Sequence, residues 1–153
     1  MRILVVSDSH RNVFLLRLAI ERHRDASVVI HLGDGEDDMN ACLDLLTGMK
    51  TVQARGNCDY GSAAPESALE IIGGKRVYCT HGSAERVKYG DSELRRTAEE
   101  HQADIILYGH THQPVHRYQD GAHFFNPGSV HANSYGVVDI TPAGIVCIHQ
   151  NIL

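Results

Sequence analysis

Seven side chains able to bind a cation stand where short apolar runs end. They are Asp8 and His10 in 7-SDSH-10, Asp34 in 32-LGDG-35, Asn57 in 55-RGNCD-59, His81 in 80-THG-82, and His110 with His112 in 109-GHTH-112. Together they offer two carboxylates, one amide oxygen and four imidazoles, and no thiolate. Such a mixed set suits Mn²⁺, Fe²⁺, Zn²⁺, Ni²⁺ or Co²⁺ better than Ca²⁺, and it is not a structural Cys-zinc site. Seven donors are too many for one tetrahedral ion. They are about right for two ions that share a carboxylate and a water, ~3.5–4 Å apart. Two divalent charges less two carboxylates and a hydroxide leave a positive site, which draws an anion such as a phosphoryl group. Singly, each residue also reads as a turn, a cap or a hydrogen-bonded imidazole. Their joint occurrence at five strand ends carries the reading.

The elements that would position them follow from periodicity. Residues 2–6, 27–32, 50–55 and 104–108 are short apolar runs that read as strands, the first two and the last fully buried. Helical spacing covers 13–24, with Phe14, Leu15, Leu18 and Ala19 on one face and Asn12 as cap, and a second helix suits 37–46. This alternation of strand and helix indicates a parallel sheet flanked by helices. Residues 68–72 and 75–80 read as a hairpin through Gly73-Gly74. A helix over 91–102, capped by Asp91 or Ser92, precedes further strands at 115–119, 122–126, 135–141 and 145–150. The expected architecture is α/β, two packed mixed sheets with helices outside. In such sheets, sites form at the carboxyl ends of strands. A strand sends residues i and i+2 to one side, so Asp8-x-His10 and His110-x-His112 can each aim two donors into one cavity if the extended geometry persists.

With every block in order from Ser7 to Ser129, the chain resembles the calcineurin-like metallophosphoesterase superfamily, whose pattern is D-x-H, G-D, G-N-H-[DE], H and G-H-x-H. Short length, GNCD in place of GNH[DE], and 126-NPGS-129 point to its compact bacterial and archaeal phosphodiesterase branch, related to the retromer scaffold subunit. The resemblance implies a four-layer αββα sandwich and two divalent ions per chain, with Mn²⁺ the leading choice and Ni²⁺, Fe²⁺, Zn²⁺ or Co²⁺ the others. It implies that Asp8, His10 and His112 hold one ion, that Asn57, His81 and His110 hold the second, and that Asp34 bridges. Asp34, Asn57 and His110 are then catalytic through the ions and through substrate positioning. The implied reaction is hydrolysis of small or exposed phosphodiesters by a metal-bridging hydroxide attacking in line. A phosphomonoesterase or nucleotide phosphatase with the same ions is the enzymatic alternative, and a non-catalytic scaffold is the other.

Two positions depart from the family pattern. Cys58 stands where many members have the histidine that serves as general acid or phosphate contact. A thiol near pKa 8.5 is a poor acid for a leaving alkoxide. Good leaving groups should therefore be preferred, or an acid comes from elsewhere; His131 and His31 are candidates for it, although each reads more simply as a structural or exposed histidine. Ser83 replaces a second histidine near the ions. Asn12, Asn126–Ser129 and Asp59 are secondary candidates, Asp59 as a residue that orients Asn57 or a neighbouring imidazole.

The bulk properties agree. The 153 residues suit one domain without a cap (1–153), large enough to build its own core. The net charge of −5 comes with no basic stripe, which argues against a dedicated nucleic-acid surface. No apolar run approaches the ~18 residues of a membrane span, and the opening five-residue run is short for a signal peptide. Four scattered cysteines (Cys42, Cys58, Cys79, Cys147) without CxxC spacing read as reduced thiols of a cytoplasmic protein. The expected partner is a small phosphodiester or nucleotide-like substrate, and a homo-oligomer is left open.

Overall fold

The computed structural model describes Met1–Leu153. In chain order the elements are β1 (Arg2–Val6), α1 (Val13–Arg22), β2 (Val28–His31), α2 (Glu36–Asn40), β3 (Lys50–Gln53), β4 (Ser67–Ile72) and β5 (Lys75–Thr80). They continue with α3 (Ser92–Glu100), β6 (Ile105–Leu107), β7 (Pro114–Gln119), β8 (Ala122–Pro127), β9 (Ser134–Thr141) and β10 (Gly144–Asn151). One sheet has the order β10-β9-β1-β2-β3 and the other β4-β5-β6-β8-β7.

The apolar alternation explains the layering. Ile3, Val5, Val28 and Ile30 point one way and meet Val77, Ile105, Leu107 and Phe125 of the second sheet in an inter-sheet core. The intervening residues Leu4, Val6 and Val29 point the other way, onto Leu16, Ala19 and Ile20 of α1 and Met39 of α2. On the far side, Tyr78, Ile106 and Phe124 pack on Leu94 and Ala98 of α3. The result is the expected four-layer αββα sandwich. Each fully buried aliphatic side chain contributes roughly 1.5–3 kcal/mol, and every residue from Ile3 to Asp8 is fully buried. Central β1 therefore delivers its C-terminal loop from a rigid base. No helix is long and apolar enough to cross a membrane.

Several local expectations shift. The face that α1 buries is Leu15, Leu16, Ala19 and Ile20, whereas Phe14 is 67% exposed, one step of 100° off that stripe. Asn12 does cap α1, its Oδ1 accepting from Leu15 N at 3.1 Å. The helix expected over 37–46 stops at Asn40 and continues as a single tight turn, Leu43–Leu45. The third strand ends at Gln53 rather than at residue 55, where the chain leaves the sheet toward the Gly56 loop. Asp91 occupies the N-cap position of α3, but its carboxylate pairs with Arg117 at 2.7 Å instead of with the helix backbone.

Candidate metal centre

Parallel pairing joins β1 to β2, β2 to β3, β5 to β6 and β6 to β8. All seven donors lie just beyond the C-terminal ends of β1, β2, β3, β5 and β6. The antiparallel strands β4, β7, β9 and β10 supply none. Because the parallel strands of both sheets end on the same rim, loops far apart in sequence meet there.

Two groups of donors form. In the first, His112 Nε2 lies 3.1 Å from Asp8 Oδ1 and 3.2 Å from His10 Nε2, which is itself 3.5 Å from Asp8 Oδ1. In the second, His81 Nε2 faces Asn57 Oδ1 at 2.9 Å and His110 Nδ1 at 3.1 Å. Asp34 stands between them, its Oδ2 3.4 Å from His81 Nε2 and 3.8 Å from His10 Nε2.

The electrostatics point to a cation. His81 Nδ1 donates to the Leu32 carbonyl at 2.7 Å, so in the neutral ring Nε2 carries a lone pair. That lone pair faces an amide oxygen and a second imidazole, a mutual repulsion unless positive charge sits among them. Burial opposes charging His81, but Asp34, Asp8 and the Leu32 carbonyl outweigh it and hold its pKa above the usual value. Burial would likewise raise Asp34, yet His81, the Cys58 amide and His10 hold its carboxyl well below the normal range. His110 is lowered, first by burial and then by His81. The donor chemistry fits divalent ions, each group supplying two imidazoles and one oxygen donor with the Asp34 carboxylate between them.

The extended geometry expected for the two D/H-x-H pairs is not what aims them. Asp8, His10, Asp34, His110 and His112 all have positive φ, between 42° and 70°. Each such residue costs on the order of 1–3 kcal/mol, a strain that concentrates at functional sites. A hydrogen-bonded scaffold holds it. Ser7 Oγ donates to Asp8 Oδ2 at 2.5 Å, and His110 N donates to the same oxygen at 3.1 Å. His10 N donates to Asp34 O, tying the first loop to the second.

The secondary candidates act as supports, with partners the sequence did not show. The Asp59 carboxylate hydrogen-bonds to neither the Asn57 side chain nor any imidazole. Its carboxylate accepts from the backbone N–H groups of Asp34, Gly35, Glu36 and Gly56 at 2.8–3.2 Å, so it holds two ligand loops together. The 126-NPGS-129 segment, at the C-terminal end of the sixth parallel strand, also braces loops. Asn126 Nδ2 donates to Gly109 O at 3.1 Å, and Ser129 Oγ donates to Asp8 O at 2.8 Å. His31 is buried and pushed by that burial down to about 4. Its Nδ1 accepts from Gly33 N, and the other ring nitrogen meets Ser9 Oγ, which donates to Asp38. It is therefore a positioning residue and not the proton source. His131 remains close, its exposed ring 6.4 Å from that of His10. The Ser83 hydroxyl makes no hydrogen bond to any of the seven donors.

Cys58 lines a cleft of about 530 Å³ beside His10 and Asp34, together with Arg11, Glu36, Asp37 and Tyr60. Its amide donates to Asp34 Oδ1 at 2.7 Å, and its sulfur accepts from Asn57 Nδ2 at 3.6 Å, which turns Asn57 Oδ1 toward His81. Burial, then Asp34, raises the thiol pKa, so it stays protonated at neutral pH. Arg11, passed over in the sequence, has no ion-pair partner and borders the cleft. Its position next to His10 was the available signal.

Glycine is required where loops touch. A Cβ on Gly56 would lie 2.1 Å from Asp34 Oδ1 and 2.3 Å from Asp34 N, a contact with backbone that no rotamer relieves. Gly56→Ala is expected to displace Asp34, lowering the unfolding free energy by about 1–3 kcal/mol. Metal uptake should weaken as well. Calorimetric melting with metal titration checks both, and unchanged binding would show that the loop yields elsewhere.

With this geometry in view, the comparisons are specific. Residues 1–143 match the calcineurin-like phosphoesterase superfamily domain. The chain belongs to that superfamily. It is 30% identical over 132 residues to the probable metallophosphoesterase YsnB of Bacillus subtilis, covering 85% of this chain and 75% of that one. Its fold is similar to that of an archaeal phosphodiesterase, with a TM-score of 0.79 at 22% identity, covering 98% of this chain and 100% of the other. It is also similar to Vps29 of Entamoeba histolytica complexed with Zn²⁺, with a TM-score of 0.73 at 21% identity over the whole of both chains. As a calcineurin-like phosphoesterase, the chain is a phosphoester hydrolase by family, one that uses divalent metal ions.

Proposed function

We propose that this phosphoesterase is a dinuclear-metal phosphodiesterase acting on small or exposed phosphodiesters. The observation that carries the proposal is the placement of Asp34 between two imidazole-rich donor groups. Asp8, His10 and His112 would hold one ion, Asn57, His81 and His110 the other, and Asp34 would serve both. Bound ions supply Lewis acidity toward phosphoryl oxygens and acidify water into a nucleophile near neutral pH, with Mn²⁺ the first choice. The chain itself supplies the rest. Buried Asp8 and Asp34 keep fixed charge in the site, Asn57 presents its oxygen because Cys58 holds its NH₂, and Arg11 offers an unpaired guanidinium to a non-bridging phosphate oxygen.

Charge at the cleft favours diesters. Glu36 and Asp37 on its wall repel a dianionic monoester more than a monoanionic diester. A scaffold of the same fold has no need of seven converging donors, five of them on a strained backbone.

Purified protein given Mn²⁺ is expected to release nitrophenolate from bis(p-nitrophenyl) phosphate, to lose this with EDTA, and to turn over p-nitrophenyl phosphate more slowly. Two bound ions without turnover under any of Mn²⁺, Fe²⁺, Zn²⁺, Ni²⁺ or Co²⁺ would falsify the enzymatic reading. A faster monoester reaction would make the protein a phosphatase.

A further inference from the structure

A third cluster of soft donors lies away from the seven. His116 sits on β7, His123 on β8 and Cys147 on β10. Strands β7 and β10 are the outermost strands of their respective sheets, so the cluster occupies one open edge of the sandwich.

Pairing fixes the convergence. His116 is opposite Phe125, and Tyr118 is opposite His123, which makes the two histidines diagonal neighbours on the face that Phe125 shares. Phe125 belongs to the inter-sheet core, so both imidazoles face the other sheet. Cys147 packs against that same core from the opposite side. The facing ring nitrogens are 3.0 Å apart, the rings are stacked within 13°, and all three donor atoms lie within 4.8 Å of one another.

This repeats the signature seen twice at the metal centre, where His10 faces His112 at 3.2 Å and His81 faces His110 at 3.1 Å. We propose that His116, His123 and Cys147 form a separate site for zinc or another borderline divalent cation, which ties the edges of the two sheets together. A His₂Cys set suits such ions, and a fourth tetrahedral position is left to solvent. His116 is exposed and the other two are partly so, which gives an ion a path in. Phe125 and Tyr118 flank the rings at 5.9 and 4.7 Å, limiting their rotation. His149 lies outside the converging trio: its Nε2 donates to the Asn126 carbonyl at 2.7 Å and its ring stacks on Phe125. Burial keeps both histidines below their usual pKa, ready as neutral ligands, while it lifts Cys147 to about 11. The ion must therefore displace the thiol proton, as metals do when they bind cysteine.

The site differs from the catalytic donors in having a thiolate, and this makes it separately visible. Titrating the full chain with Co²⁺ is expected to produce a near-ultraviolet thiolate-to-cobalt band. The band should vanish in Cys147→Ser and persist in Cys58→Ser, the one cysteine beside the catalytic donors. Native mass spectrometry should count one ion fewer in His116→Asn, an exposed edge substitution that leaves the core intact. Zinc should raise the melting temperature of the wild type more than that of His116→Asn. Absence of the band, its survival in Cys147→Ser, or its loss only in Cys58→Ser would overturn the proposal. Each of these outcomes is independent of whether the catalytic centre hydrolyses diesters.

Discussion

Asp34→Asn is expected to remove nearly all phosphodiesterase turnover. The substitution keeps shape and takes away charge. Asp34 Oδ2 is the atom nearest to both donor groups, 3.4 Å from His81 and 3.8 Å from His10. An amide there halves the fixed negative charge of the two carboxylates and replaces an anionic oxygen facing both histidines by a neutral group, a weaker ligand for a divalent cation. The surrounding loop should persist, since Asp59 grips its backbone N–H groups and not its side chain. Loss of a residue that merely supports a ligand typically costs about 10–100-fold in metal affinity or activity. On the proposal that Asp34 serves both ions, its loss should cost more than that. The checks are turnover of bis(p-nitrophenyl) phosphate and metal content by native mass spectrometry, with circular dichroism to confirm the fold. Wild-type turnover in a folded Asp34→Asn protein would remove Asp34 from the centre of the mechanism.

Cys58→His should have the second large effect, and in the favourable direction. The position borders the cleft beside His10 and Asp34, and on the proposed reading a group there is near enough to protonate a leaving group. Its thiol is raised in pKa by burial and Asp34 and yields its proton poorly. An imidazole titrates near 6.5, close to working pH, and a well-placed general acid is worth about 10²–10⁴-fold. Turnover of a diester with an alkoxide leaving group is expected to rise by at least about 10-fold, the lower part of that range after imperfect placement. Turnover of the nitrophenyl diester, which needs no acid, should barely change. Cys58→Ser is the control and should show no selective gain. Equal changes for both substrates would mean that position 58 acts only by holding Asn57 through the 3.6 Å contact with its NH₂.

The donors were legible because each is local: a short strand ends, and a carboxylate, amide or imidazole follows in the loop, one to five residues on. The alternation of strand and helix likewise announced parallel pairing, the later hairpin and short strands announced a second sheet, and the family resemblance implied the four-layer order. The sequence by itself thus determined the seven donor types and their order, as well as the sandwich that gathers them. What holds the donors was decided only by tertiary structure. Asp59 reaches back 25 residues to Asp34, and Ser129 reaches 121 residues to Asp8. No spacing rule foretells such bonds, since they depend on which loops the sheets bring to one rim. The same holds for His31, for which the sequence left a structural and an acid role open and whose burial and two hydrogen-bonded ring nitrogens make it a strut. It holds for the left-handed backbone of five donors, a conformation that local preference resists and surrounding hydrogen bonds impose. It holds also for His116, His123 and Cys147, unremarkable along the chain, which meet because two sheet edges close on each other.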